Sequence, residues 1–159
     1  MALTCERRAH KIGMDSGLPT NGTLDALGGA PPEGDALHSL EHLPAGYLAY
    51  TTAVLLGEVR HLANPVTLNS PSLDHDVEDH NTLTPTAIRL AQRSRVLVET
   101  MLAIEAINAT MSLSRRVRTR RLGRGTLATY EDVARVLVAL ASNAPAAEAV
   151  ELTRRRLTG

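Results

Sequence analysis

Four carboxylates and two imidazoles crowd the stretch Asp74, His75, Asp76, Val77, Glu78, Asp79, His80. Acids at that density repel one another unless a cation, a donor or solvent compensates them. Composition alone favours a solvated acidic turn. His75 and His80 with a carboxylate could ligate a metal, but the spacing matches no standard zinc pattern. A third chemistry is proton transfer: a carboxylate drawn into a cleft has its pKa raised toward neutrality. Glu78, flanked by apolar Val77, is the residue of this run best suited to that role.

Two other constellations compete with it. His38-Ser39-Leu40-Glu41-His42 has the form of an H-x-x-E-H zinc motif, which requires a helix that brings both His onto one face. Pro31-Pro32 before it and Pro44 and Gly46 after it leave room for about two helical turns at most, so the match is read as coincidence. Arg115, Arg116, Arg118, Arg120, Arg121 and Arg124 form the strongest basic cluster. No aromatic residues are interleaved for base stacking. Lys+Arg and Asp+Glu number 17 each, giving a net charge of zero. This argues against nucleic acid or an anionic membrane and for a solvated connector, or one that pairs with an acidic partner chain. No nucleophile elbow and no phosphate-cradling glycine loop is present.

The elements that must carry these residues read as helices. With 159 residues the chain can bury a real core. Aromatics are three Tyr with no Phe or Trp, so that core is built from Leu, Val, Ala and Ile, which suits packed helices. Six of the eleven Gly fall between residues 13 and 34 together with Pro19, Pro31 and Pro32, which marks 1–44 as an irregular segment with short helices. From 45 to 159 a helical bundle portion is expected, carrying the loop 66–81. Residues 45–62 have no Pro and are apolar over most of the helical circumference, predicting a helix buried among others; Asn64-Pro65 ends it. A long helix is predicted from Thr84-Pro85 to about Leu113. Leu90, Leu97, Ile104 and Met111 recur every seventh residue, widened by Val98, Leu102 and Ala109. A further helix is expected from Thr129, read as its N-cap, to a break at Asn143-Ala144-Pro145. Pro145 opens the last one, ending in Arg154-Arg155-Arg156. The fold class predicted is all-α. A single cysteine, Cys5, excludes an intramolecular disulfide and fits a reducing cytoplasm, and no signal peptide is visible. The longest uncharged apolar stretch, Leu43 to Gly57, is too short to span a bilayer.

Taken in order, local motifs resemble the C-terminal part of the aromatic amino acid ammonia-lyases, the histidine and phenylalanine/tyrosine lyases. Glu6-Arg7-Arg8 and Gly17-Leu18-Pro19 resemble that family's S-E-R-R and G-L-P segment. Tyr50-Thr51-Thr52-Ala53-Val54-Leu55-Leu56-Gly57-Glu58 resembles its Q-Y-T-A-A-A-L-V-S-E helix, with Ala49 in place of the Gln. Asn64-Pro65-Val66-Thr67 stands where the family has H-P-V-T. Glu78-Asp79-His80 is similar to the Q-E-D-H loop of the histidine type, and His80-Asn81 to the E-Q-H-N loop of the phenylalanine type. Leu102-Ala103-Ile104-Glu105 and Leu122-Gly123-Arg124-Gly125-Thr126 with Tyr130 resemble the bundle helix and the L-G-x-G-T…Y segment that follow.

The resemblance implies a fold, the C-terminal portion of the long-helix ammonia-lyase bundle, and a chemistry, elimination of ammonia from an aromatic L-amino acid. Enzymes of this family use an electrophilic methylidene-imidazolone (MIO) made from an internal Ala-Ser-Gly. This sequence contains none: Asp15-Ser16-Gly17 and Ala141-Ser142-Asn143 do not match it. The expectation is therefore that the electrophile resides on a partner, the large subunit of a tetramer-based hetero-oligomer, and that this chain is the small subunit of a split lyase. Glu78 carries over as the family's active-site glutamate near the substrate's amino group or side chain. Asp79, His80 and Asn81 then bind substrate or hold the loop. A non-catalytic scaffold subunit with the same fold, or a subunit of an aminomutase, are the alternative readings. The resemblance assigns no metal to the chain.

Overall fold

A computed structural model describes residues 4, 7, 45–69, 82–114, 122–140 and 144–159. All regular structure among the described residues is helical, so the fold is all-α. The main helices are α1 (Ala45–Leu62), α2 (Thr84–Ser114), α3 (Arg124–Ala139) and α4 (Ala146–Thr158), with a 3-10 turn at Val66–Asn69.

The bounds of α1 follow from its punctuation: Pro44 precedes it and Asn64-Pro65 stops it, while Arg60 and His61 in its last turn complement the helix dipole. Leu48, Thr52 and Leu56, four residues apart, form its buried stripe. The expectation that α1 is enclosed by helices is met on that side only. Tyr50 and Val54 on the opposite side are 55% and 73% exposed.

α2 runs for 31 residues, about 46 Å at 1.5 Å per residue, and every other main helix packs against it. It is long and apolar enough to cross a membrane, but its second half is the middle of the core. Met101, Ala103, Ile104 and Ile107 are completely buried there. Of the sevenfold series expected to line its buried face, Ile104 and Met111 are buried, whereas Leu90 and Leu97 are half-buried. The period identifies residues that share a face; coverage of that face depends on a neighbour, and the neighbours gather at the C-terminal half of α2. One cluster joins Leu48 of α1, Ile104 and Ile107 of α2, Val133 and Leu137 of α3, and Ala149 and Val150 of α4. A smaller one joins Leu56 to Met101. The pairing of Leu56 with Met101, and of Leu48 with the cluster further along α2, makes α1 and α2 an antiparallel hairpin.

α3 begins earlier than predicted. Its N-cap is Gly123, extended at φ −66° and ψ 156°, and Arg124 is its first residue. Thr129 lies inside the helix, where its hydroxyl donates to the Gly125 carbonyl at 3.1 Å. Gly125 sits in the first turn, where a glycine interrupts little packing, so the Gly-rich run is helix start rather than linker. α3 ends at Ala139, with Leu140 as its C-cap. Pro145 is the N-cap of α4, which continues two residues past the Arg run, to Thr158.

α4 is clamped to both neighbours by charge. Arg154 donates to Glu99 of α2 at 3.0 Å and to Glu151 at 2.9 Å, while Arg95 pairs with Glu99 at 3.1 Å. Arg156 donates to Asp132 of α3 at 2.9 Å, an acid shared with Arg135. Hydrogen bonds from Arg154 and Arg155 hold the Glu151 carboxyl at about 2, well below its ordinary 4.5. A bond from Arg156 likewise lowers Asp132. A carboxyl depressed in the folded state stabilises the fold above its unfolded pKa and loses that contribution as pH falls through the folded value. Stability is accordingly expected to fall between about pH 4.5 and pH 2, with a smaller fall in Glu151→Gln. Thermal melts of both proteins across that window measure the difference.

Thr153 presents a cost within this interface. It is completely buried, and its hydroxyl has no hydrogen-bond partner among the described residues. Thr153→Val keeps the shape and removes the unpaired group, and is expected to raise stability by about 1 kcal/mol, read from urea unfolding.

Candidate functional site

The acidic loop is the connection of the α1–α2 hairpin. Residues 70–81, which include Glu78, Asp79, His80 and Asn81, lie outside the described residues. So do His38, His42, Cys5 and the run 115–121. Described residues flank the acidic run on both sides, up to Asn69 and from Thr82.

At the first end, the Ala63 N–H donates to the Val59 carbonyl at 3.1 Å and the Asn64 N–H to the His61 carbonyl at 3.2 Å, tightening the close of α1. Pro65 then turns the chain, and the Leu68 N–H returns to the Pro65 carbonyl at 3.4 Å within the 3-10 turn. At the second end, Leu83 holds a left-handed backbone with φ 47°. For a side-chain-bearing residue that conformation costs about 1–2 kcal/mol. It is maintained where the Ala87 N–H donates to the Leu83 carbonyl at 2.9 Å, and where the Thr82 and Thr84 hydroxyls meet at 2.9 Å. Strain of this kind persists where the surroundings over-determine the backbone, and it gathers at binding and catalytic loops.

Glu58, four residues from the end of α1, pairs with Arg93, nine residues into α2. This ion pair ties the C-terminal part of α1 to the N-terminal third of α2.

The family model for aromatic amino acid lyases matches residues 39–135, well over half of the chain. The chain belongs to the aromatic amino acid lyase family. The matched span contains α1, the 3-10 turn, the acidic loop, all of α2 and most of α3. No curated protein matches the chain, and no solved structure does. Position 78 falls inside the matched span.

An open groove of about 720 Å³ between α3 and α4 is floored by Val136, Leu140 and Leu152 and edged by Arg155 and Arg156. Arg155 is engaged by Glu151 at 2.7 Å and Arg156 by Asp132 at 2.9 Å. Its charges therefore serve the helix packing, and no residue next to the acidic loop lines it. The α2–α4 clamp is what the sequence reading missed. Glu151 and Arg155 have the helical i,i+4 spacing that announces a pair. Arg154 and Glu99 are 55 residues apart, and nothing local signals their contact.

Proposed function

We propose that this chain is the Glu78-bearing, C-terminal subunit of a split aromatic amino acid ammonia-lyase. The observation that carries the reading is the family match, because it spans the loop in which Glu78, Asp79 and His80 follow the family's pattern. The 159 residues contain no Ala-Ser-Gly, so they do not fit the methylidene-imidazolone, and the reading assigns that group to a partner polypeptide. When bound in the assembly, the group supplies the electrophilic activation; what this chain adds is a carboxylate.

Elimination of ammonia removes a weakly acidic β-proton while the amine leaves. A carboxylate beside the amino group can orient the ammonium and accept or return its proton, and desolvation in an assembled site brings its pKa toward the working range. Asp79, His80 and Asn81 would hold the loop and contact the substrate. The reading locates the enzyme in the cytoplasm, as a hetero-oligomer acting on an aromatic L-amino acid. Co-expression with an electrophile-bearing lyase chain should give a complex that releases ammonia and an unsaturated, urocanate- or cinnamate-like acid. A complex that forms but isomerises the amino acid without releasing ammonia would instead identify an aminomutase.

A further inference from the structure

Leu83 occupies a backbone region that L side chains rarely adopt, and its position makes the conformation consequential. The bond from the Ala87 N–H to the Leu83 carbonyl is the first of α2, so Leu83 stands at the cap of the helix with its carbonyl side tied to the helix axis. Residues at that position ordinarily lie in the extended region, at negative φ. With the carbonyl held, the rotation that remains is φ of Leu83 itself. At 47° it turns the preceding chain by over about 100° from the course an extended residue would give it.

A glycine would make this turn without strain. The chain makes it with a leucine whose side chain is half-buried, and the Thr82 and Thr84 hydroxyls meet at 2.9 Å across it. An unfavourable conformation kept at a helix entry points to a use for the direction it imposes. The segment directed in this way is the acidic run, with Glu78 five residues before Leu83.

We propose that Leu83 is a positioning residue: its left-handed backbone sets the course of residues 74–81 and, through them, the place of the Glu78 carboxylate. The effect on catalysis rests on the role proposed above for Glu78, whereas the effect on the backbone does not.

Two substitutions separate the backbone from the side chain. Leu83→Val introduces a β-branched residue, for which the left-handed region is a genuine outlier, so the turn is lost. Leu83→Asn removes the apolar side chain but tolerates the left-handed region, so the turn is kept. In the complex with an electrophile-bearing lyase chain, Leu83→Val is expected to lower kcat about ten- to a hundredfold with little change in KM, the effect of a misplaced group, while Leu83→Asn retains most of the wild-type rate. In the full chain alone, the amide resonances of residues 74–79 should move in Leu83→Val and stay in place in Leu83→Asn. Those residues are too far from position 83 in sequence to respond to the substitution as neighbours. Absence of elimination by the wild-type complex would strike the role of Glu78 and leave the resonances to decide the role of Leu83. Wild-type kcat or unmoved resonances in Leu83→Val overturn the proposal. Impairment of Leu83→Asn as deep as that of Leu83→Val overturns it too, by assigning the effect to the side chain. Should Leu83→Val lose its helical circular dichroism, Leu83→Asn decides alone: retained rate and resonances uphold the proposal, and their loss overturns it.

Discussion

Replacing Glu78 by Gln in the assembled enzyme is expected to lower turnover by about 10²–10⁴-fold, the range that a positioned acid or base contributes. Gln preserves the size and the hydrogen-bonding reach of the side chain but cannot take or return a proton. The loss should therefore appear in kcat more than in KM, whereas a carboxylate that only anchors the substrate's ammonium would raise KM. Glu78→Ala should be at least as impaired, and Glu78→Asp should recover part of the rate, since it restores the charge at a shorter reach. The pH profile provides a separate readout: the limb that belongs to the carboxylate in the wild type should be missing from Glu78→Gln. Steady-state rates of the complex, measured as ammonia release, decide the matter. Undiminished elimination by Glu78→Ala would remove this residue from the mechanism.

The largest effect expected on folding is at Ile104. It is completely buried on α2, in the cluster that also receives α1, α3 and α4, so Ile104→Ala empties a space that all four helices surround. The expected loss is about 2–5 kcal/mol, which in a chain of this size lowers the melting temperature by about 2–4 °C for each kcal/mol. Leu90→Ala on the same sevenfold series is the internal comparison. Leu90 is half-buried in a part of α2 that contributes no fully buried side chain, and its truncation should cost clearly less. Urea denaturation of the two variants separates a core built around the C-terminal half of α2 from one spread along its whole length.

The parts of this fold legible in the sequence are those governed by local chemistry. Pro44 and Asn64-Pro65 delimit α1, and Pro85 marks the first turn of α2, because proline acts on the backbone regardless of tertiary context. The start of α3 was misplaced at Thr129, since a Thr followed by two acids has the form of an N-cap and first turn. In fact Gly123 is the extended N-cap, and Thr129 spends its hydroxyl on the Gly125 carbonyl within the helix. The buried faces were legible as periodicities and illegible as contacts. Leu90 and Leu97 share a face with Ile104, and α1 has an apolar outward side, yet only position relative to other helices decides which of these is covered. The Arg154–Glu99 clamp was invisible for the same reason. For the candidate site the balance is reversed. Glu78 by itself was one acid in an acidic run; its ordered place between the α1 motif and the α2 motif singled it out, and the family match over 39–135 supports that order.

The proposed completion of an ammonia-lyase centre by this chain is tested most directly by titration: the purified chain is added to a fixed amount of an electrophile-bearing lyase chain while ammonia release from an aromatic L-amino acid is followed. Negligible release is expected from either component alone, with a rate that rises to saturation at one copy of this chain per electrophile-bearing chain. Full turnover by the electrophile-bearing chain in the absence of this one, with no change on its addition, would contradict it.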